Sequence, residues 1–484
     1  MSESHYDQYE LVVGLEVHAQ LNTLSKAFSA DSASYGALPN TQVSPISLGH
    51  PGTLPKMNKQ VIAHAVKLGL AMNCQIRPWN EFARKNYFYA DLPKGYQITQ
   101  HTTPICYDGH IDLTMEDGSS KRIGITRIHM EEDAGKSIHD LDPYDSLVDL
   151  NRCGVPLLEI VSEPDIRSAK EAYNYLTEIR KLVRYLEICD GNMEEGSLRC
   201  DANISVMKKG AQTFGTKVEV KNMNSIRNVQ RAIEYEFKRQ VDLLEKGESF
   251  QSETRSFDAV NGSTFALRSK EQANDYRYFP EPDLQPVEIT AAYIAEQRAQ
   301  MPPLPAALLA KFKSVYQLSD YDAQVLTDSK EVALYFEAIA AQTTNQKAAA
   351  NWVMGPIKSV LNAEAITIDQ LNLSPNRIAE LIALIDQQII SNSVATQRIF
   401  PALLEKDEPP LAIAKRLNVV QESNEDALIS SIKEILERYP DKVAEYKAGK
   451  KGVMGLFMGE LMKATQGKAD PKVATKLLNE QLAS

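Results

Sequence analysis

The chain has 484 residues, a formal net charge of −11, 43% hydrophobic residues and 24% charged ones. That is the make-up of a soluble globular protein too long for a single core, and an acidic balance argues against a surface built throughout for nucleic acid. No apolar run approaches the roughly 18–20 residues of a membrane span, Met1 to His5 has no basic or apolar leader character, and the five cysteines (Cys74, Cys106, Cys153, Cys189, Cys200) form no C-x-x-C pair, which points to reduced thiols in a cytoplasm.

The first element is a strand. From Leu11 to Leu21 apolar residues alternate with Gly14, Glu16, His18 and Gln20, so Glu16 and His18 share one face. A carboxylate beside an imidazole can bind a divalent cation or move a proton; a solvated edge strand carries the same pattern. Loops rich in Ser, Pro and Gly follow to residue 54, and Val61, Ala65, Leu68 and Met72 set a helix over Lys56 to Met72. Arg84 to Tyr96 interleaves cations with aromatics, a mixture that can hold phosphates and stack a base. Lys121 to Met130 alternates and runs into the acids Glu131, Glu132 and Asp133, which repel one another unless a cation sits among them. Asp149 to Ser162 is an apolar run with Glu159 embedded in it, a carboxylate that needs a partner or a metal.

Ser168 to Leu186 is predicted helical, with Ser168 as N-cap and Glu171 completing a capping box. Ser197 to Val206 repeats the design of the first strand, with Ser197, Arg199, Asp201, Asn203 and Ser205 on one face; Lys217, Glu219 and Lys221 share a face in the next strand. A second long helix runs from about Ser225 to Lys246 and stops at Gly247. Asn274 to Asp283 is a further aromatic, charged loop. Strands and helices mix without a βαβ rhythm, so a mainly antiparallel α+β domain is expected. Met301-Pro302-Pro303-Leu304-Pro305 reads as a stiff linker, and the chain beyond it as helices, broken again at Asp407-Glu408-Pro409-Pro410. Residues 439–484 carry eight lysines against five acids, with Lys447 to Gly452 as a basic, glycine-loosened approach to a helix suited to a phosphate backbone. No P-loop and no G-x-G-x-x-G after a strand is present, so a nucleotide site here is of neither kind.

Taken together, Gly14-Leu15-Glu16-Val17-His18, Arg84-Lys85-Asn86-Tyr87-Phe88-Tyr89, His129 to Lys136, Glu159 to Asp165, Glu194 to Asp201 and Asp275 to Asp283 resemble the B-type subunit of the aspartyl/glutamyl-tRNA(Asn/Gln) amidotransferases, the GatB/GatE family. The resemblance spans essentially the whole chain. It implies a cradle domain (1–292) for kinase and transamidation chemistry, a helical domain (293–407) and a tRNA-binding, YqeY-like tail (408–484). It implies that ATP and Mg2+ serve to phosphorylate the side-chain carboxylate of Glu-tRNA(Gln) or Asp-tRNA(Asn). Ammonia from a separate glutaminase (amidase) subunit then displaces phosphate, within a GatCAB heterotrimer whose third member is small.

By the same resemblance His18, Glu132 and Glu159 bind the metal, Glu16 and Asp201 belong to the catalytic site with Lys85, and Lys85, Arg199 and Tyr87 face the nucleotide. Choosing Glu132 over Glu131 rests on the resemblance alone. Some members carry a four-cysteine zinc knuckle after the first strand; Ala30 to Leu54 has no cysteine here, so no zinc is expected. The competing readings are a non-catalytic tRNA-binding adaptor and a stand-alone metal-dependent hydrolase.

Overall fold

A computed structural model describes residues 5–115, 117–269, 276–420, 425–465, 469 and 471–483. Asn274 and Asp275 of the aromatic loop, and Lys468 of the tail, lie outside them. The chain divides into two compact units, Met1–Pro305 and Ala306–Ser484.

The first unit is built on a nine-stranded sheet. In chain order its strands include β1 (Tyr9–Gln20), β2 (Gln75–Ile76), β5 (Cys106–Thr114), β6 (Ser120–Glu132), β7 (Pro156–Ser162), β8 (Leu198–Lys208), β9 (Val218–Lys221), β10 (Glu253–Asp258) and β11 (Ser263–Ser269). Two further strands, β3 (Ala83–Asn86) and β4 (Tyr96–Thr99), belong to a small separate sheet. The large sheet runs β11-β10-β9-β8-β1-β7-β6-β5-β2. Neighbours are antiparallel except β9 and β10, as the mixed, non-βαβ pattern requires.

β1 lies near the middle of this order. Leu11, Val13, Leu15, Val17 and Ala19 are buried in the core, together with Ile128 and Met130 of β6, Leu158 and Ile160 of β7, and Cys200, Ala202 and Ile204 of β8. Three helices bury against the same core: α1 (Lys59–Ala71), α2 (Ala169–Tyr185) and α3 (Ile226–Glu245). Each begins at the side-chain cap its sequence supplies: Asn58 accepts from Gln60 N, Ser168 from Glu171 N and Ser225 from Asn228 N. Gly247 follows α3 with φ 73°, the left-handed turn a glycine tolerates. The capping box on α2 is altered. The Glu171 carboxylate accepts from Arg167 N at 2.8 Å and pairs with Lys121 at 2.5 Å, so it steadies the residue before the cap.

From Ala291 onward the elements among the described residues are all helices. In the second unit Phe312 and Phe336 meet edge to face at 4.8 Å. Near the end, Leu428, Ile432, Phe457, Leu461 and Leu478 form a small core of their own. Lys447, Lys450 and Lys451 are exposed ahead of the helix Met454–Ala464. Some of the tail's charge is answered locally, by Lys442 and Lys450 on Glu445 and by Lys463 on Glu460.

Candidate active site

The polar face of the sheet is assembled from strands that the chain visits far apart. Register places His18 opposite Glu159 on one side and Arg199 on the other, and Glu159 opposite His129. A row Arg199–His18–Glu159–His129 therefore crosses four neighbouring strands, β8, β1, β7 and β6. Two residues along β1, Glu16 stands opposite Asp201. Two residues along β6 from His129, Glu131 adds a carboxylate on the same face, since side chains alternate.

These side chains converge. His18 Nε2 lies 3.3 Å from Glu159 Oε2, 3.7 Å from Glu131 Oε1 and 3.8 Å from Glu16 Oε1. His129 Nε2 lies 3.4 Å from Glu159 Oε2 and 3.4 Å from Glu131 Oε2. Glu16, His18 and Glu159 could hold one metal ion by their donor atoms, and so could His129, Glu131 and Glu159. Burial works against charge on both imidazoles, but the carboxylates around them win. Glu159 and Glu131 raise the His18 pKa, and the same pair raises His129 to about 9. Glu159 is held far below the usual carboxylate range by His129 and His18 despite its burial. Glu16 is pushed up, first by burial and then by Glu159.

Glu132 is not in this group. Ile128 and Met130 put the even positions of β6 on the apolar face, and Glu132 follows them. It takes a hydrogen bond from Ile98 N at 2.9 Å and an ion pair from Lys94. There it lines a cavity of about 200 Å³ with Lys26, Phe28, Ser47, Lys94, Tyr96 and Gly154. The structure brings Glu131 to His18 and Glu159, and leaves Glu132 on the other side of the sheet.

Lys85 is on β3. Burial opposes its charge, but Tyr278, Glu131, Tyr276 and Glu159 hold its pKa above the ordinary value, so the ammonium sits in the field of the carboxylate group. Its Nζ is 4.9 Å from the centre of the Tyr276 ring and 5.9 Å from that of Tyr87. The Tyr87 hydroxyl donates to Gln97 Oε1 at 3.4 Å. The loop that carries Tyr276 and Tyr278 is tied here by Phe279 pairing with Arg84, and by Arg84 bonding Glu281 at 2.7 and 2.9 Å and Asp283 at 3.0 Å. Tyr278 stacks on His101 at 4.1 Å. The result is an aromatic wall with a cation at its foot.

Asp201 and Arg199 stand on the floor with partners of their own. Asp201 pairs with Lys221, which also reaches Glu219 at 3.2 Å. Arg199 donates to Asp133 at 2.9 Å, and Gln20 donates to the same carboxylate oxygen at 2.7 Å. Sequence reasoning missed His129 as a member of the group, and missed the part of Tyr276 and Lys221. The alternation of Arg127, His129 and Glu131 against Ile128 and Met130 was the available signal for the first. Tyr276 meets Lys85 through a pairing some 190 residues long in sequence, which no local pattern reports.

The family model for the GatB/GatE catalytic domain matches residues 11–295, which include every residue of this floor, and the model for the GatB domain matches residues 334–482. The chain belongs to the GatB/GatE family. A protein of Synechococcus sp. (strain JA-2-3B'a(2-13)), named as the B-type subunit of aspartyl/glutamyl-tRNA(Asn/Gln) amidotransferase, is 51% identical over 481 residues, 98% of each chain. One of Geobacter sulfurreducens with the same name is 50% identical over 477 residues, 98% of this chain and 99% of its own. GatB/GatE membership thus extends over both units, and the polar floor lies within the catalytic-domain match.

Proposed function

We propose that the chain is the member of a tRNA-dependent amidotransferase that activates the misacylated tRNA. It is a carbon–nitrogen ligase, and the reading follows from full-length similarity to proteins so named. The observation that carries the site assignment is the convergence of His18, Glu131 and Glu159 on one polar face of the sheet.

In this reading the side-chain carboxylate of Glu-tRNA(Gln) or Asp-tRNA(Asn) attacks the γ-phosphorus of ATP. ADP leaves, and the carboxylate becomes an acyl phosphate. Ammonia then adds to its carbonyl carbon and phosphate departs, giving Gln-tRNA(Gln) or Asn-tRNA(Asn). Oxide is a poor leaving group and phosphate a good one, so activation must come first. Phosphoryl transfer asks the protein for alignment and charge neutralisation more than for covalent help.

The residues fit Mg2+: His18, Glu131 and Glu159 would hold it, with Glu16 beside them. When bound, Mg2+ supplies positive charge against the phosphate oxygens. Lys85 adds a fixed ammonium at the edge of the same group, and the rings of Tyr87, Tyr276 and Tyr278 offer a wall against which a base or ribose can stack. Lys221 orients Asp201, and Asp133 holds Arg199 at the rim, where it can be exchanged for a phosphate. Glu132, paired with Lys94, stabilises the opposite side of the sheet.

The relatives' designation as one lettered component of an amidotransferase supports work within a multisubunit enzyme. We assign as partners a glutaminase (amidase) subunit, which supplies ammonia, together with the small third member of a heterotrimer. The exposed Lys447, Lys450 and Lys451 suit contact with the tRNA body. Free, buried cysteines, and the lack of any helix among the described residues long and apolar enough to cross a membrane, fit work in the cytoplasm. The test is ATP-dependent conversion of Glu-tRNA(Gln) by the assembled enzyme with Glu159→Gln. A loss of 100-fold or more in kcat is expected, about 3 kcal/mol. Unchanged turnover would remove the floor from the mechanism.

A further inference from the structure

The parity of β6 changes part-way along it. Ile123 and Ile125 lie in the core, and so do Ile128 and Met130, so strict alternation from Ile125 would aim Arg127 inward. A bulge prevents this. Val161 and Ser162 of β7 are consecutive, yet they pair with Arg127 and Ile125, which leaves Thr126 as an extra residue. The Thr126 hydroxyl donates to Glu163 Oε1 at 2.7 Å and ties the bulge down. Bulges re-aim the side chain beside them, and this one turns Arg127 to the polar face. There it joins a second row, Asp201–Glu16–Val161–Arg127–Tyr107, next to the row that carries His18, Glu159 and His129.

Other cations on this face are bonded to carboxylates: Arg199 to Asp133 at 2.9 Å, and Lys221 to Asp201. The Arg127 guanidinium is not. Among the described residues it donates no hydrogen bond, and the carboxylate it approaches is Glu159, with Oε1 at 3.9 Å; its side chain is 43% exposed. A planar fork of N–H donors is thus open to an incoming carboxylate. Beside it, the Tyr107 ring carries the Arg77 guanidinium 4.7 Å from its centre, so this rim is positive where the floor of Glu16, Glu131 and Glu159 is negative. The rim is also at the right end. Lys85 and its aromatic wall lie towards Glu131, and Arg127 is four residues away along β6, roughly 13 Å. A nucleotide stacked on that wall sends its phosphates across the floor. In-line transfer then requires the acceptor to enter from the side opposite the departing ADP, which is the side Arg127 occupies.

We propose that Arg127 receives the side-chain carboxylate of the tRNA-borne Glu or Asp, and that by this contact the site tells the acid from its amide product. The proposal rests on the reading of the floor as the phosphoryl-transfer site given above. The guanidinium holds one carboxylate oxygen while the other forms its bond to the γ-phosphorus, and the bond from that phosphorus to the ADP oxygen breaks. After amidation the neutral amide turns an NH2 group or a single carbonyl oxygen towards the same donors. The charge-assisted bond is lost and the product is released. The test uses the assembled enzyme without ATP, with Glu-tRNA(Gln) and Gln-tRNA(Gln) in competition filter binding. The wild type is expected to favour the acid tenfold or more. Arg127→Gln is expected to bind the two within about twofold, with affinity for ATP changed by less than about threefold, and to lose 100-fold or more in kcat/KM for Glu-tRNA(Gln). Arg127→Lys, which keeps the charge without the fork, is expected to fall between them. No preference in the wild type, or a wild-type preference in Arg127→Gln, overturns the proposal. So does a tenfold loss of ATP affinity in Arg127→Gln, which would make the residue a nucleotide ligand. Turnover of Glu159→Gln in the same preparation keeps the two readings apart. Its loss alongside an unaffected Arg127→Gln overturns only the role of Arg127, whereas its survival removes the floor on which the proposal rests.

Discussion

Glu131 and Glu132 are adjacent and chemically identical, yet they face opposite sides of one strand. Glu131 has His18 and His129 within 3.7 Å; Glu132 has Lys94 and the Ile98 amide. Their replacements should therefore separate cleanly. Glu131→Gln removes a donor from the floor and is expected to weaken divalent-cation binding about 10- to 100-fold at the position it serves, as calorimetric titration with Mn2+ would show. Glu132→Gln is expected to leave cation binding unchanged. It leaves a partly buried Lys94 without its carboxylate, and should lower unfolding stability by roughly 1–3 kcal/mol in urea. This pair also shows what could be read in the sequence. The resemblance named Glu132, but Ile128 and Met130 mark the apolar parity of β6 and set Glu131, not Glu132, beside His129. The polar parity of β1 was legible in the same way, and Glu16 and His18 do share a face.

Helix and strand ends were largely legible because caps and alternation are local. α2 begins after Ser168 and α3 after Ser225, where serine side chains can satisfy free amides. Ser225→Ala is expected to cost about 1 kcal/mol, measurable as a shift in the urea midpoint. α1 carries a buried imidazole, His64, 6% exposed. Burial lowers its pKa from 6.5 to about 4, and the nearby Lys67 adds to the effect. The folded state thus favours neutral His64, while the unfolded chain takes up a proton below about 6.5. Stability should fall as pH drops from 6.5 towards 4, by roughly 3 kcal/mol in all, and change no further through this group below that. His64→Gln should flatten this slope relative to wild type in urea titrations at pH 7 and pH 4.5. Strand order was not legible. Which strands flank β1 depends on contacts more than 100 residues long, and alternation tells the face of a strand but not its neighbour. The same holds for the Tyr276–Lys85 meeting, although each aromatic stretch stood out by its composition.

Across the whole molecule, the sequence reading ends the first domain at residue 292, whereas the chain divides into compact units at Pro305. Every side chain of the proposed activation site lies in the first unit, and that unit has its own extensive core. A chain shortened to residues 1–305 is therefore expected to fold and to retain Mn2+ binding within about threefold, but to lose affinity for tRNA; circular dichroism and dialysis would check the first, filter binding the second. The central claim is that the face formed by His18, Glu131 and Glu159 activates the tRNA-borne carboxylate by phosphorylation. Its most direct measurement uses Glu-tRNA(Gln) carrying 18O in the side-chain carboxylate, in the assembled enzyme with ATP and glutamine. The account predicts one 18O in each inorganic phosphate released by the wild type, and a loss of that labelled phosphate of 100-fold or more with Glu131→Gln or Glu159→Gln. Labelled phosphate formed at the wild-type rate by both variants would contradict it.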